Sequence, residues 1–353
     1  MEIRSKTTLL IASLLIATFL FSSSKVEAYD ASDLGGPISV SAGGSVDNMW
    51  PDLKNGDFSD GRFWISVDAN ISENIRAYLG GFIYRRLRAN GSSVDISKVT
   101  VGEFIDEAYI EIRNIGGKPV AFIVGKQYIP FGIDNKEMPN FQADPTYWNI
   151  TETSGVFGFT VNLENIPFFD LVEISGFETG GYDLEVGTVD GASIRLSKQL
   201  TDSIKATGSY MHLANDDVLA EMEDRIALGF IFERGVWTTW VEGMHVSGNQ
   251  AFPDMDFGIV IGAARKLGRG RMIVQGTYLT DTLKQVGFGY KMPVAPNVTV
   301  GAEARYTDYT YGEDGWSVTV RTTVHFSDIF RSKKRKKSKT EEVEEAPEEE
   351  DLD

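Results

Sequence analysis

Trp316 to Phe326 reads WSVTVRTTVHF. Trp316, Val318, Val320, Val324 and Phe326 fall on one side of an extended chain, and Ser317, Thr319, Arg321, Thr323 and His325 on the other. Successive side chains of a strand point to opposite faces, so this stretch is a strand with one greasy and one wet surface.

The same period runs upstream. In Arg62 to Ile71, Phe63, Ile65, Val67, Ala69 and Ile71 oppose Arg62, Trp64, Ser66, Asp68 and Asn70. In Asp106 to Arg113, Ala108, Ile110 and Ile112 oppose Glu107, Tyr109, Glu111 and Arg113. Arg225 to Glu233 aligns Ile226, Leu228, Phe230 and Phe232; Val298 to Tyr306 sets its valines and alanines against Thr299, Glu303 and Arg305. Further strands are expected near 38–46, 75–86, 119–128, 155–163, 168–177, 191–200, 203–213, 236–246, 256–266, 271–279 and 284–292. The total is about sixteen, even as single-chain bacterial barrels require, and most runs have the length a tilted strand needs to cross a bilayer. Strand 119–128 is apolar on both phases, so the direction of Lys126 stays open.

Connections alternate in length. Short turns are expected at 72–74, 116–117, 164–167, 201–202, 234–235 and 267–270. Longer ones lie at 47–61, 87–104, 129–154, 178–190, 214–224 and 247–255. A transmembrane barrel keeps that order, whereas a soluble sandwich has no reason to. The fold class expected is therefore all-β: a transmembrane antiparallel β-barrel of about sixteen strands with a disordered, charged C-terminal tail.

The bulk numbers agree. The chain has 353 residues, 42% hydrophobic, with a formal net charge of −17. No internal apolar run is long enough for a spanning helix, which a barrel does not need. There is no cysteine, which excludes thiolate metal sites and a lipoprotein anchor. Residues 1–28 read as a secretory signal peptide: Arg4 and Lys6, the apolar run from Thr7 to Phe21, then Val26-Glu27-Ala28 before cleavage. The barrel is placed at 29–327, with no plug domain before it, and the tail at 328–353. Arg331 to Lys339 is basic and Glu341 to Asp353 acidic, a composition that builds no core. That tail is a candidate for peptidoglycan contact.

In a barrel the polar phase must be the inner one, because a mid-depth arginine facing lipid costs about 2–4 kcal/mol. The expected pore-lining set is Arg62, Arg76, Glu107, Tyr109, Glu111, Arg113, Arg225, Arg271, Glu303, Arg305 and Arg321. The outer loops carry many carboxylates, among them Asp52, Asp57, Glu178, Asp183, Asp216, Asp217, Asp224, Asp308 and Asp314. An acidic vestibule disfavours phosphate-like anions, unless arginines deeper in the channel reverse the preference.

Catalysis finds little support. The three histidines are His212, expected to face lipid near an interface; His325, expected in the lumen at the periplasmic end; and His245, with Glu242 nearby. None sits in a serine motif, and no nucleotide-binding or metal-ligand spacing occurs. The reading is no enzyme and no cofactor. An acidic chain whose single basic run is cancelled by its neighbour also speaks against nucleic acid.

Val124 to Gly132 reads VGKQYIPFG, followed by Asp144-Pro145 and by ITETSG at 150–155; EAYIEI stands before it at Glu107 to Ile112. Over about residues 103–160 this resembles the LbtU-type siderophore porins, which carry a basic-Gln-Tyr-aliphatic-Pro-Phe-Gly stretch at a comparable place. Phosphate-selective porins share a similar Pro-Phe-Gly turn. The resemblance implies a barrel that admits or binds a ferric siderophore or similar small solute. It singles out Lys126, Gln127, Tyr128, Pro130, Phe131, Gly132, Asp134, Lys136, Glu137 and Asp144 as motif and constriction-loop candidates, since the third long loop of general porins often narrows the channel. Outer-membrane lipid, lipopolysaccharide and the barrel assembly machinery are the implied partners. The alternatives are a phosphate-selective or general diffusion porin, and an outer-membrane enzyme or structural barrel.

Overall fold

The computed structural model describes residues 38–51, 58–90, 93–96, 105–133, 153–178, 191–213, 223–248, 256–310 and 314–326. Residues 1–28, read as a signal peptide, and 328–353, read as a tail, lie outside them.

The described chain is an antiparallel meander: β1 (Ile38–Pro51), β2 (Phe58–Asn70), β3 (Ile75–Asn90), β4 (Ser93–Ile96), β5 (Ile105–Ile112), β6 (Val120–Ile129), β7 (Thr153–Ile166), β8 (Phe169–Phe177), β9 (Gly191–Thr201), β10 (Ile204–Leu213), β11 (Glu223–Arg234), β12 (Trp237–Ser247), β13 (Phe257–Leu267), β14 (Gly270–Leu279), β15 (Leu283–Ala295), β16 (Val298–Tyr309) and β17 (Gly315–Phe326). Apart from β4, each strand pairs with the next in the ring, and β1 pairs with both β2 and β17, which closes the sheet. β4 pairs only with the far end of β3, while β3 also pairs with β5. Sixteen strands therefore form the ring, and β4 is an added hairpin arm.

All sixteen strands expected from the two-residue period are present. The first long connections are shorter than the sequence implies, because β1, β2 and β3 run on past the membrane-length segments and β4 occupies part of 87–104. Extended hairpins of this kind satisfy their own backbone groups outside the bilayer, where hydrophobic alternation no longer marks them. The turns at one rim are tight; Gly235, in the turn after β11, has a φ of 61° that a side chain resists. The opposite rim carries the long connections, although 280–282 on that rim is also a tight turn.

The burial order is that of a membrane barrel, inverted from a soluble protein. Ile110, Val124, Ile226, Leu228, Ile261, Val286 and Phe288 are exposed on the outside; Thr160, Ser193, Ser197, Thr207, Gln275 and Thr319 are buried on the inside. Exposed Tyr210, Phe257, Tyr278 and Trp316 stand toward the long-loop rim, and Phe168, Trp237 and Tyr290 toward the short-turn rim. These are two aromatic girdles flanking an apolar band. Arg265 lies over the Trp237 ring, 5.2 Å from its centroid, on the outer side of the short-turn rim.

Candidate functional site: the barrel interior

Register fixes which side chains look inward, because residues directly opposite on neighbouring strands share a face. Arg76 stands opposite Asn70 and Glu111, Tyr78 opposite Asp68 and Tyr109, and Gly80 opposite Ser66 and Glu107. One charged patch results on the inner wall of β2, β3 and β5. Arg76 grips Asp68 through Nε (2.8 Å) and Nη2 (2.6 Å) and reaches Glu111 through Nη1 (3.2 Å). Arg113 holds the same Glu111 oxygen at 2.6 Å. Tyr78 and Tyr109 stack at 5.2 Å beneath the Arg76 guanidinium. Farther round, Arg195 pairs with Glu173, Arg225 with Glu223 and Arg305 with Glu303. Arg271 and Arg321 also take the inner phase. Arg62 belongs to β2 opposite Ser45, and its side chain is outside the described set. On β17, His325 faces inward and stacks against Trp64, 6.4 Å between centroids.

Strand β6 resolves its two apolar phases. Phe122, Val124, Lys126 and Tyr128 are on the outer phase, and Gln127 and Ile129 on the inner one. Lys126 sits near the long-loop rim and donates from Nζ to the Ile105 carbonyl at 2.6 Å; the Tyr128 hydroxyl bonds Asp106 beside it. The family-like motif is thus divided between lipid rim and interior. Gln127 is buried, with Thr160 donating to its Oε1 at 3.1 Å and Ser175 2.8 Å from the Thr160 hydroxyl.

Beyond Ile129 the chain leaves the wall and crosses the interior. Ile129, Phe131 and Ile133 are buried in one cluster with Met211, Ala227, Ile231, Trp240, Met244, Val246, Val260, Ala264, Ile273, Leu279 and Leu283 from the inner face of β10 to β15. Three wall side chains hold consecutive backbone groups of this segment. Ser193 on β9 donates to the Pro130 carbonyl (2.7 Å), Ser209 on β10 accepts from the Gly132 N–H (2.9 Å), and Glu242 on β12 accepts from the Ile133 N–H (2.6 Å). Two residues of the segment are dictated by shape. Gly132 has a φ of 63°, and a Cβ there would lie 2.4 Å from a Glu242 oxygen. Gly229 leaves the space that Ile133 fills: a Cβ would stand 2.4 Å from its Cγ1. Both Gly229 and Glu242 are near the middle of their strands, so the segment meets the wall at mid-depth. Asp134, Lys136, Glu137 and Asp144 lie outside the described residues.

The sequence reading missed this apolar half of the interior. β12 carries Trp240, Met244 and Val246 inward as well as Val241 outward, so its alternation is weak and no wet phase stands out. The nearness of Glu242 to His245 is corrected: three residues apart on a strand, they point to opposite faces. Glu242 is buried inside, whereas His245 is outside with Nδ1 2.7 Å from the Asp256 carbonyl. His212 is also outside at the long-loop rim, 2.9 Å from Asp224, which accepts from the Tyr210 hydroxyl as well. Of the loop carboxylates, Asp224 thus has local partners, and Asp314 accepts from the Tyr309 N–H at 3.1 Å. Asp52, Asp57, Asp183, Asp216 and Asp217 lie outside the described residues.

No family model matches the sequence, and no curated protein matches it. Solved structures do. Salmonella typhi OmpF in complex with daunomycin has a TM-score of 0.58 at 12% identity, covering 83% of this chain and 99% of that one. The outer membrane channel DcaP of Acinetobacter baumannii has a TM-score of 0.54 at 13% identity, over 82% of this chain and 96% of that one. Pseudomonas putida OprB has a TM-score of 0.54 at 10% identity, over 84% and 94%. At such identity the likeness is one of fold: the chain forms a closed sixteen-stranded antiparallel barrel of the porin kind.

Proposed function

We propose that this protein is an outer-membrane channel that lets small polar solutes through a barrel narrowed by the Ile129–Ile133 segment. The observation that carries the reading is the inversion of the two faces: apolar side chains outside, paired charges and hydroxyls inside. The apolar side chains exposed around the ring commit the outside to lipid, and the charged part of the interior is then the path for what passes through. The signal peptide read at 1–28 supplies the route to the outer membrane. The segment divides the interior into an apolar side, which it packs against, and a charged side formed by β2, β3, β5, β16 and β17. Solutes are sorted by size at the segment and by charge along the wall, since the narrowest point dominates selectivity.

A ferric siderophore as the solute is the second, finer reading. It rests on the resemblance of VGKQYIPFG, whose final residues are the ones that enter the barrel. Folded protein in planar bilayers tests both levels. Stepwise ion conductance supports the channel; folded barrels that insert without conducting overturn it. Reduction of that current by micromolar ferric siderophores of the hydroxamate, catecholate or carboxylate type supports the finer reading, and indifference to all three removes it.

A further inference from the structure

The hairpin of β13 and β14 reaches the short-turn rim with a one-sided charge. From Phe257 to Thr280 it contains Arg265, Lys266, Arg269 and Arg271 and no carboxylate. Arg265 takes the outer phase, because Ala264 beside it in the chain is buried in the interior cluster. On the outer wall Trp237 stands directly opposite Arg234 of β11 on one side and Arg265 of β13 on the other. All three are exposed in one row, with the two arginines two strand spacings, or about 10 Å, apart. The Arg265 guanidinium carbon lies 5.2 Å from the centroid of the Trp237 ring.

A guanidinium that lays its face on an aromatic ring keeps its N–H edges for an acceptor. Among the described residues neither Arg234 nor Arg265 enters an ion pair. Glu233 takes the inner phase, and Asp202, in the turn between β9 and β10, forms no ion pair with Arg234. Elsewhere on the outer wall of this rim a cation is matched: Lys198 pairs with Asp170 at 2.8 Å. The surroundings of the row are tied down. The Lys266 N–H donates to the Val236 carbonyl (2.9 Å), and the Tyr290 hydroxyl donates to the Leu267 carbonyl (3.0 Å). One step toward mid-depth, the next outer row runs Phe232, Thr239, Ala263 and Val274 from β11 to β14. Phe232 is 40% and Val274 44% exposed, and the two small side chains between them leave a shallow depression next to Trp237.

We propose that Arg234, Trp237 and Arg265 bind the headgroup phosphate of an anionic phospholipid on the outer wall, with an acyl chain in the depression over Thr239 and Ala263. Short turns of transmembrane barrels are periplasmic, so the lipid belongs to the periplasmic leaflet. Two guanidinium edges suit phosphate oxygens, and tryptophan favours the headgroup level. The carboxylate-free hairpin adds a positive field that attracts a net negative lipid more than a zwitterionic one. The site goes beyond the channel reading and is independent of conduction; it needs only a lipid-facing outer wall.

Native mass spectrometry of the folded full-length protein, titrated in detergent with phosphatidylglycerol or with phosphatidylcholine of the same chains, tests the site. Retention of phosphatidylglycerol at lower lipid concentration than phosphatidylcholine is expected. In R234Q/R265Q the affinity for phosphatidylglycerol falls about tenfold or more, as loss of two charge-assisted contacts implies. K198Q, which removes a paired cation from the same rim, binds as the parent does, and heat-modifiable gel mobility verifies that each variant is a closed barrel. Equal retention of the two lipids by the parent, or equal phosphatidylglycerol affinity in R234Q/R265Q and the parent, overturns the proposal. An equal loss in K198Q also overturns it, because the effect would then be one of overall charge. Binding of soluble peptidoglycan fragments in preference to phosphatidylglycerol, lost in R234Q/R265Q, assigns the sector to the cell wall and overturns the lipid reading.

Discussion

At the residue scale, Glu242 is the side chain on which the interior depends most. It is 1% exposed, among Trp240, Met244 and Val260, and one of its oxygens accepts the Ile133 N–H. A buried carboxylate is tolerated only with such donors, and removing the acceptor strands the amide in an apolar cluster. Glu242→Ala should therefore loosen the segment, giving a larger and noisier single-channel conductance. Glu242→Gln retains an acceptor oxygen at the same place and should return the conductance toward the parent value. Equal conductance in Glu242→Ala and the parent would show that the contact does not hold the segment. Gly132→Ala meets both the left-handed φ and the Glu242 oxygen, and should cost about 1 kcal/mol from the backbone alone, read as a lower unfolding midpoint. Little of this was legible in the sequence. The motif could be singled out, but Ser193, Ser209 and Glu242 are brought to it only by closure of the ring, and no local spacing encodes a partner 109 residues away.

At the element scale, the strands were legible because each crosses between two solvents and must present a different chemistry to each. Glu107, Tyr109 and Glu111 against Ala108, Ile110 and Ile112 is enough to fix both a strand and its inner face. The reading stopped short where that pressure lapses, in β4 and the outer parts of β1 to β3; on β12 it found the strand at 236–246 but not its inner face, which is covered by protein rather than water. The face assignment has an energetic consequence. Ile261, 59% exposed at the middle of β13, looks into lipid, so Ile261→Arg should destabilise the folded barrel by about 2–4 kcal/mol in bilayer refolding titrations. Thr323→Arg, on the inner phase of β17, should cost well under half as much. A reversed order would mean that the two faces are exchanged.

At the scale of the whole molecule, pairing of β1 with β17 turns a meander into a ring, and the ring makes the rest of the site. Six strand steps separate β6, which emits the inserted segment, from β12, which receives it. The segment is therefore a strut across the interior, and its apolar side chains pack into the cluster that the inner faces of β10 to β15 present. The central claim is that this strut is in place in the folded protein. The chain contains no cysteine, so an introduced pair reports on one contact alone. A Cβ at Gly229 would lie 2.4 Å from the Ile133 Cγ1, which places the two positions within reach of a disulfide. In the double substitution Ile133→Cys with Gly229→Cys, mild oxidation of the folded barrel should leave almost no thiol that reacts with a water-soluble maleimide. Two freely reactive thiols per folded chain would contradict the account, because Ile133 would then not be seated against β11.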